Sequence, residues 1–201
     1  MSEQNKKSTV ASAVKTGALH PAPCTLSPAV LGVSGYAGME LARLLLRHPA
    51  LQSRPPLLLG RTGAQPEPLA ALHPHLMDNN GTGLNPGALC IEPFSWDLLQ
   101  HRGVGVLFLA TPHEQSRTLV PEALDHGLRV IDLSGAWRLT AAEHRAVYQF
   151  ADEGSPLAAS IQTQAVYGIP ALHRDEIREA ALIANPVCYA TSIFLALKPL
   201  P

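Results

Sequence analysis

Apolar residues along this chain fall in short blocks that repeat a strand-then-helix rhythm. Ala29-Val30-Leu31 is a brief apolar run after Pro28 and reads as a buried strand. Over residues 39–48 the apolar positions Met39, Leu41, Ala42, Leu44, Leu45 and Leu46 suit a helix packed on a sheet, ended by His48-Pro49. Residues 56–59 read as a second strand. Residues 103–110 are apolar without alternation, as in a parallel strand covered on both faces. A helix follows over 114–126, broken near Pro121 and capped by Gly127. Residues 128–133 and 181–184 are further strands, and the last leads into an apolar helix over 190–197. This alternation predicts the α/β class, with a Rossmann-like, doubly wound, mostly parallel sheet.

Between these blocks the pattern is weaker. Residues 64–94 hold Pro66, Pro68, Pro74, Pro86 and Pro93 with many Gly and Asn, and read as loop. Residues 141–148 suit a short helix and 151–164 a linker. Residues 165–172 form a turn-containing segment that leads into a helix over 174–180. Residues 1–28 are polar and rich in Ser, Thr, Ala and Lys, without the apolar centre of a secretory signal. They read as a mobile tail or, alternatively, an organellar presequence.

Composition narrows the possible roles. With 46% hydrophobic and 15% charged residues in 201, the chain is that of a globular protein. Lys+Arg 15 against Asp+Glu 16 leaves a net charge of -1, so no basic surface advertises nucleic acid or an anionic membrane. No apolar run approaches the roughly 20 residues that span a bilayer. Cys24, Cys90 and Cys188 are odd in number and far apart, which argues against a disulfide framework and for a reducing, cytoplasmic setting. The nine histidines lack zinc-ligand spacing. His73-Pro74-His75 reads as a rigid surface turn, so no metal is assigned.

Candidate chemistry sits where strands end. Gly32-Val33-Ser34-Gly35-Tyr36-Ala37-Gly38 lies between a strand and a helix with G-x-x-G-x-x-G spacing. Glycines there permit a tight turn and close backbone approach to a pyrophosphate at the helix N-terminus. Such turns are common, and the flanking strand and helix carry the dinucleotide-binding reading. After the second strand an NAD site would place an acid, yet Arg61 stands there. A guanidinium suits the 2′-phosphate of NADP, although Arg61 could equally be a solvated loop residue. Thr111-Pro112-His113 and Ser134 to Arg138 follow the next two strands and predict one site edge. Cys188 stands where an extended segment gives way to a helix, where unpaired N–H groups and the helix dipole favour negative charge. Such a thiol can act as a nucleophile in acyl transfer through a thioester; a small buried apolar residue is the alternative.

The motifs GVSGYAGMEL, GRTGAQP, HPHL, ATPHEQS, VIDLSGAWRL, AVYGIPAL and NPVCYATS, in that order over residues 29–199, resemble the N-acetyl-gamma-glutamyl-phosphate reductase family. That family is related to the aspartate-semialdehyde and glyceraldehyde-phosphate dehydrogenases. The resemblance implies NADPH-dependent reduction of an acyl phosphate to an aldehyde and free phosphate, with Cys188 at the nucleophile's position. Reductases of aspartyl or aminoadipyl phosphate, or a catalytically dead NADP-binding fragment, are the alternatives. By the same resemblance Gly32, Ser34, Gly35, Tyr36, Ala37 and Gly38 line the pyrophosphate, and Arg61 meets the 2′-phosphate. Thr111 and Pro112, with His113, lie on the nicotinamide side. Ser134, Arg138 and Asn185 contact substrate or phosphate. The expected organisation is a tail over 1–28, a dinucleotide-binding domain over 29–164, and the start of an α+β catalytic domain over 165–201.

Two departures from the family pattern stand out. Val187 replaces a glycine before the cysteine. It would be strained by about 1–3 kcal/mol at positive φ and harmless in extended backbone. In the family a mixed sheet, a subunit interface and a histidine acid/base follow the point where this chain ends. A fragment is therefore expected, with a homo-oligomer for the complete protein. The apolar residues 193–197 would then be an association site if exposed.

Overall fold

A computed structural model describes residues 27–77, 89–147 and 155–198. Eight strands occur among them: β1 (Pro28–Leu31), β2 (Leu57–Gly60), β3 (Glu67–Pro68), β4 (Cys90–Pro93), β5 (Val106–Leu109), β6 (Arg129–Asp132), β7 (Val166–Tyr167) and β8 (Leu182–Ala184). They form one sheet in the order β3-β4-β2-β1-β5-β6-β8-β7. Every pairing is parallel except the short β3–β4 contact at the edge. The doubly wound α/β expectation is met.

Strand residues alternate between the two faces, and each face has its own core. Ala29 and Leu31 of β1 join Leu59, Leu107, Leu109, Val130 and Leu182 on one side. There they meet Leu99 of α3 (Trp96–His101), Val120 and Ala123 of α4 (His113–Asp125), and Ile161 of α6 (Pro156–Gln164). Val30, Leu58 and Ile91 face the other way, against Ala42 and Leu46 of α1 (Tyr36–Leu46) and Leu69 of α2 (Leu69–Leu72). Helices on both faces explain why β1 is buried at all four positions and carries no polar residue. Among the described residues no helix is long and apolar enough to cross a membrane.

Several elements differ from the sequence reading. Residues 64–94 are not uniformly loop: β3, α2, a 3-10 turn at Pro74–Met77 and β4 lie within them, while 78–88 fall outside the described residues. Cys-Ile-Glu-Pro has one strongly apolar residue and a proline, so β4 owes its place to pairing with β2 rather than to propensity. Residues 156–164 are helix α6, not linker; Pro156 opens it and Ile161 is drawn into the core. α4 runs on through Pro121 without a break. Val120 and Ala123 beside it are fully buried, and that packing outweighs one missing backbone hydrogen bond. Gly127 does cap α4, with φ +72 and its N–H donated to Leu124 O at 2.9 Å.

Two more helices shift their starts. α1 begins at Tyr36, three residues before the periodic apolar stretch. α7 (Pro170–Glu179) begins at its proline rather than at Arg174, with a non-helical residue at His173. α5 (Ala142–Val147) agrees with the expected short helix, and α8 (Cys188–Leu197) opens at the cysteine itself. β7 and β8 extend the sheet beyond β6, so the expected boundary between 164 and 165 falls inside one continuous sheet. The hydrogen bonds of Val166 and Tyr167 to β8 hold them there.

Candidate functional site

Parallel pairing brings the ends of β1, β2, β5, β6 and β8 to the same edge of the sheet. From β1 the chain proceeds to β2 on one side, while β5 pairs on the other, and this reversal leaves a crevice beyond the β1 and β5 ends. The glycine turn fills the β1 side. Gly32 has φ +96, and a Cβ on it would lie 2.4 Å from Ala110 O at the β5 exit. A Cβ on Gly38 would lie 2.2 Å from Gly32 O, so only glycine lets α1 approach the turn. Gly35 is different: its nearest neighbour would be 3.6 Å away, an ordinary contact. Nothing within the protein forces glycine there. Gly35 is the N-cap of α1 without a side-chain cap, and its own N–H closes the turn on Gly32 O at 3.1 Å; the exposed Ser34, Tyr36 and Ala37 leave their N–H groups without a backbone acceptor.

The neighbouring exits interlock. Arg61 directly follows β2 and is exposed. Thr111 Oγ1, after β5, is buried with no hydrogen-bond partner among the described residues. Pro112 is the N-cap of α4, and His113 Nδ1 accepts the Gly135 N–H at 2.8 Å, joining the β5 and β6 exits. Trp137, 1% exposed, anchors the β6 loop by donating Nε1–H to Ser116 O. Arg138 Nη1 donates to Leu133 O and, at 2.8 Å, to Asn185 O, joining the β6 and β8 exits. Asn185 N–H donates to Asp132 O at 2.8 Å and reinforces that junction.

Asp132 is the group that sequence reasoning overlooked. Its carboxylate is fully buried and accepts from Ser116 Oγ at 2.8 Å, Ser134 N–H at 3.1 Å and Ser134 Oγ at 2.9 Å. Burial pushes its carboxyl above the ordinary range, and the hydrogen bonds and nearby Arg138 offset part of that rise. The one signal in the sequence is an acid closing an apolar run, Val130-Ile131-Asp132. Ser134 is consequently turned inward; its hydroxyl also accepts the Ala136 N–H. The Asn185 side chain donates to its neighbour Pro186 O.

His73 also departs from expectation. The sequence suggested a surface turn, but the side chain is 6% exposed and its Nε2 lies 2.9 Å from Val33 O in the glycine turn. Leu69 and Leu76 beside it belong to the core, and they carry the imidazole inward with them. Among the described residues no group of three His, Cys, Asp or Glu comes together to hold a metal.

Cys188 is the first residue of α8 and is exposed, which overturns the alternative of a small buried apolar residue. Val187, the N-cap, has φ -77 and ψ 158, ordinary extended backbone, so the valine carries no strain. No side chain caps α8, and the first backbone donor in it, Thr191 N–H, returns to Val187 O. Two residues separate Cys188 from Asn185, whose N–H is tied to β6 and whose carbonyl is tied to Arg138 in the loop after it, so the sheet edge delivers the thiol. An open hollow of about 290 Å³ lies along α7, lined by residues 170–176. It holds none of the strand-exit residues and is a gap around the irregular turn at His173.

Comparisons with known proteins agree with this arrangement. Residues 28–180 match the family described as semialdehyde dehydrogenase, NAD binding domain. An N-acetyl-gamma-glutamyl-phosphate reductase of Thermosynechococcus vestitus is 37% identical over 171 residues, covering 85% of this chain and 45% of the relative. Reductases of the same name from Thermus thermophilus and Pseudomonas aeruginosa are each 39% identical, with 44% and 46% of their lengths covered. The chain thus spans less than half the length of the curated relatives it matches. A crystal structure of aspartate semialdehyde dehydrogenase II from Vibrio cholerae superposes with a TM-score of 0.53 at 19% identity, covering 87% of this chain and 45% of that one. That likeness concerns the fold. With its glycine turn, parallel sheet and matched residues, the chain belongs to the semialdehyde dehydrogenase family, as its NAD-binding domain.

Proposed function

We propose that this chain binds NADPH in the β1/β5 crevice and carries the nucleophile of an N-acetyl-gamma-glutamyl-phosphate reductase. The observation that carries the reading is the convergence, at one sheet edge, of an outward-facing glycine turn and a cysteine that opens a helix. The residues present suit the cofactor. Gly35 leaves room beside an uncapped helix start, which fits a pyrophosphate. The buried Thr111 hydroxyl lacks a partner that a ligand at the β5 exit would supply. Arg61, exposed just beyond β2, favours the 2′-phosphate of NADPH over the bare ribose of NADH.

In the reaction the Cys188 sulfur attacks the acyl-phosphate carbonyl. The C–S bond forms, the bond from the acyl carbon to the phosphate oxygen breaks, and inorganic phosphate leaves with both electrons. No side chain caps α8, so the N–H groups of its first turn are left to stabilise the oxygen on which charge would develop. A nicotinamide held in the crevice would supply a hydride to the thioester carbon; the C–S bond then breaks, its electrons return to the Cys188 sulfur and the aldehyde leaves. Arg138 holds the Asn185 carbonyl and, at the same edge, offers its remaining guanidinium N–H groups to the substrate's phosphate.

Titration of the chain with NADPH and NADH tests the cofactor assignment. NADPH should bind at least about tenfold more tightly, a difference of about 1.4 kcal/mol that Arg61→Glu should erase. Equal affinities would overturn the NADPH assignment, and absence of binding by either would overturn the site. Incubation with N-acetyl-gamma-glutamyl phosphate should release phosphate stoichiometrically and acylate Cys188, seen by mass spectrometry. Release that persists in Cys188→Ser would remove the cysteine from the mechanism.

A further inference from the structure

We propose that His73 is a positioning residue for the cofactor's pyrophosphate, acting through the peptide between Val33 and Ser34. The proposal rests on the cofactor reading above and adds a residue forty positions away from the turn it controls. A carbonyl oxygen only accepts, so the 2.9 Å contact to Val33 O requires a proton on His73 Nε2. The neutral Nε2–H tautomer and the imidazolium both satisfy it. No peptide bond among the described residues is cis. In a trans peptide the carbonyl and the following N–H point in opposite directions. With Val33 O held inward by His73, the Ser34 N–H faces outward.

Its surroundings fit a phosphate. Ser34 is exposed, and its N–H has no backbone acceptor in the turn. Gly35 N–H is spent on Gly32 O at 3.1 Å, whereas the exposed Tyr36 and Ala37, at the start of α1, add N–H groups with no backbone acceptor. Unpaired N–H groups gathered at a helix start make an anion-binding site. The imidazole in turn is fixed from behind. His73 N–H donates to Leu69 O at 2.8 Å, and His73 O accepts from Leu76 N–H at 3.0 Å. Leu69 and Leu76 share a core cluster with Val33 itself, so the lever and the turn it holds are packed as one unit. Without the donor, Val33 O would be left unsatisfied in the protein interior, and the peptide would gain by rotating its carbonyl toward water. That rotation would turn the Ser34 N–H away from the phosphate.

Two near-isosteric variants of the full chain test this: His73→Met, which has no donor, and His73→Gln, whose amide can donate. Each is titrated with NADPH and with adenosine 2′-monophosphate, which shares the adenine end but lacks the pyrophosphate. His73→Met should weaken NADPH about tenfold and adenosine 2′-monophosphate less than about twofold, while His73→Gln restores NADPH to within about threefold. Unchanged NADPH affinity in His73→Met would overturn the proposal, and so would equal weakening of both ligands, which marks a general structural defect. In the wild-type chain, imidazole nitrogen shifts should show Nε2 protonated with and without NADPH; a bare Nε2 would overturn the proposal without any variant. If the wild type binds neither NADPH nor NADH, the cofactor reading falls and this proposal with it. If it binds while His73→Met binds equally, this proposal alone falls.

Discussion

Gly32, Gly35 and Gly38 share a motif but answer to different constraints, and substitution separates them. Alanine at Gly38 would put its Cβ 2.2 Å from Gly32 O, and alanine at Gly32 would add a positive φ to a 2.4 Å backbone clash. Either change should cost about 1–3 kcal/mol or more in urea denaturation. Gly35→Ala should leave stability within about 0.5 kcal/mol, because its Cβ meets nothing closer than 3.6 Å. Weaker NADPH binding in Gly35→Ala, with an unchanged unfolding curve, would assign that glycine to the ligand. A stability loss equal to that of Gly38→Ala would contradict the distinction. Asp132 makes a second residue-level prediction. Its folded pKa is raised above the ordinary 3.8, so the folded protein holds this proton more tightly than the unfolded chain does. The stability it contributes is therefore full below pH 3.8 and is lost as pH rises through the folded value. Asp132→Asn, which carries no charge at any pH, should gain stability relative to wild type as pH is raised from about 4 to about 7. Parallel urea midpoints at both ends of that range would show it, and a gain in the opposite direction would refute it.

α8 has little support from its neighbours. None of its residues is buried, and Tyr189, Ile193, Phe194, Leu195 and Leu197 are between 44% and 80% exposed. Its contacts with the rest of the chain include the edge-on packing of Phe194 against Tyr167 and a bond from Lys198 Nζ to Ala171 O. Exposed apolar surface of this kind drives association. The chain should sediment with concentration-dependent self-association, and Ile193→Lys with Leu197→Lys should reduce it while changing stability by less than about 0.5 kcal/mol per site. Association unchanged by both lysines would locate the sticky surface elsewhere. Other elements show why the sequence reading succeeded or failed. β1 and β5 were legible because helices on both faces favour an uninterrupted apolar run, and β6 because Leu128, Val130, Ile131 and Leu133 keep most of one. β4 was not, since a strand of Cys-Ile-Glu-Pro forms only because β2 offers its edge. α6 has few apolar positions, and its one buried residue, Ile161, finds the core only once the sheet exists. Pro121 misled for the same reason: local propensity said break, and packing of Val120 and Ala123 kept the helix whole.

Across the whole molecule, the site edge is a product of topology acting on local motifs. The glycine turn, Arg61, Thr111-Pro112 and Cys188 were readable because each is a short signal tied to its own strand or helix end. That these four signals share one edge follows from parallel pairing, which the apolar runs already implied. The extent of the sheet was less legible, because β7 has two residues and shows itself only through hydrogen bonds to β8. The sequence by itself determined the class of fold, the turn that opens the crevice, and the cysteine at a helix start, because these depend on periodicity and on residues adjacent in the chain. Only the tertiary structure decided that Val187 is unstrained, that Ser134 turns inward to Asp132, and that His73 reaches Val33. The first is a backbone angle set by how β8 hands over to α8. Ser134 and Asp132 are only two positions apart, but their inward turn depends on Asp132 being buried against Ser116 of α4; His73 and Val33 are forty apart, and no pattern along the chain encodes that such groups will meet once both faces of the sheet are packed.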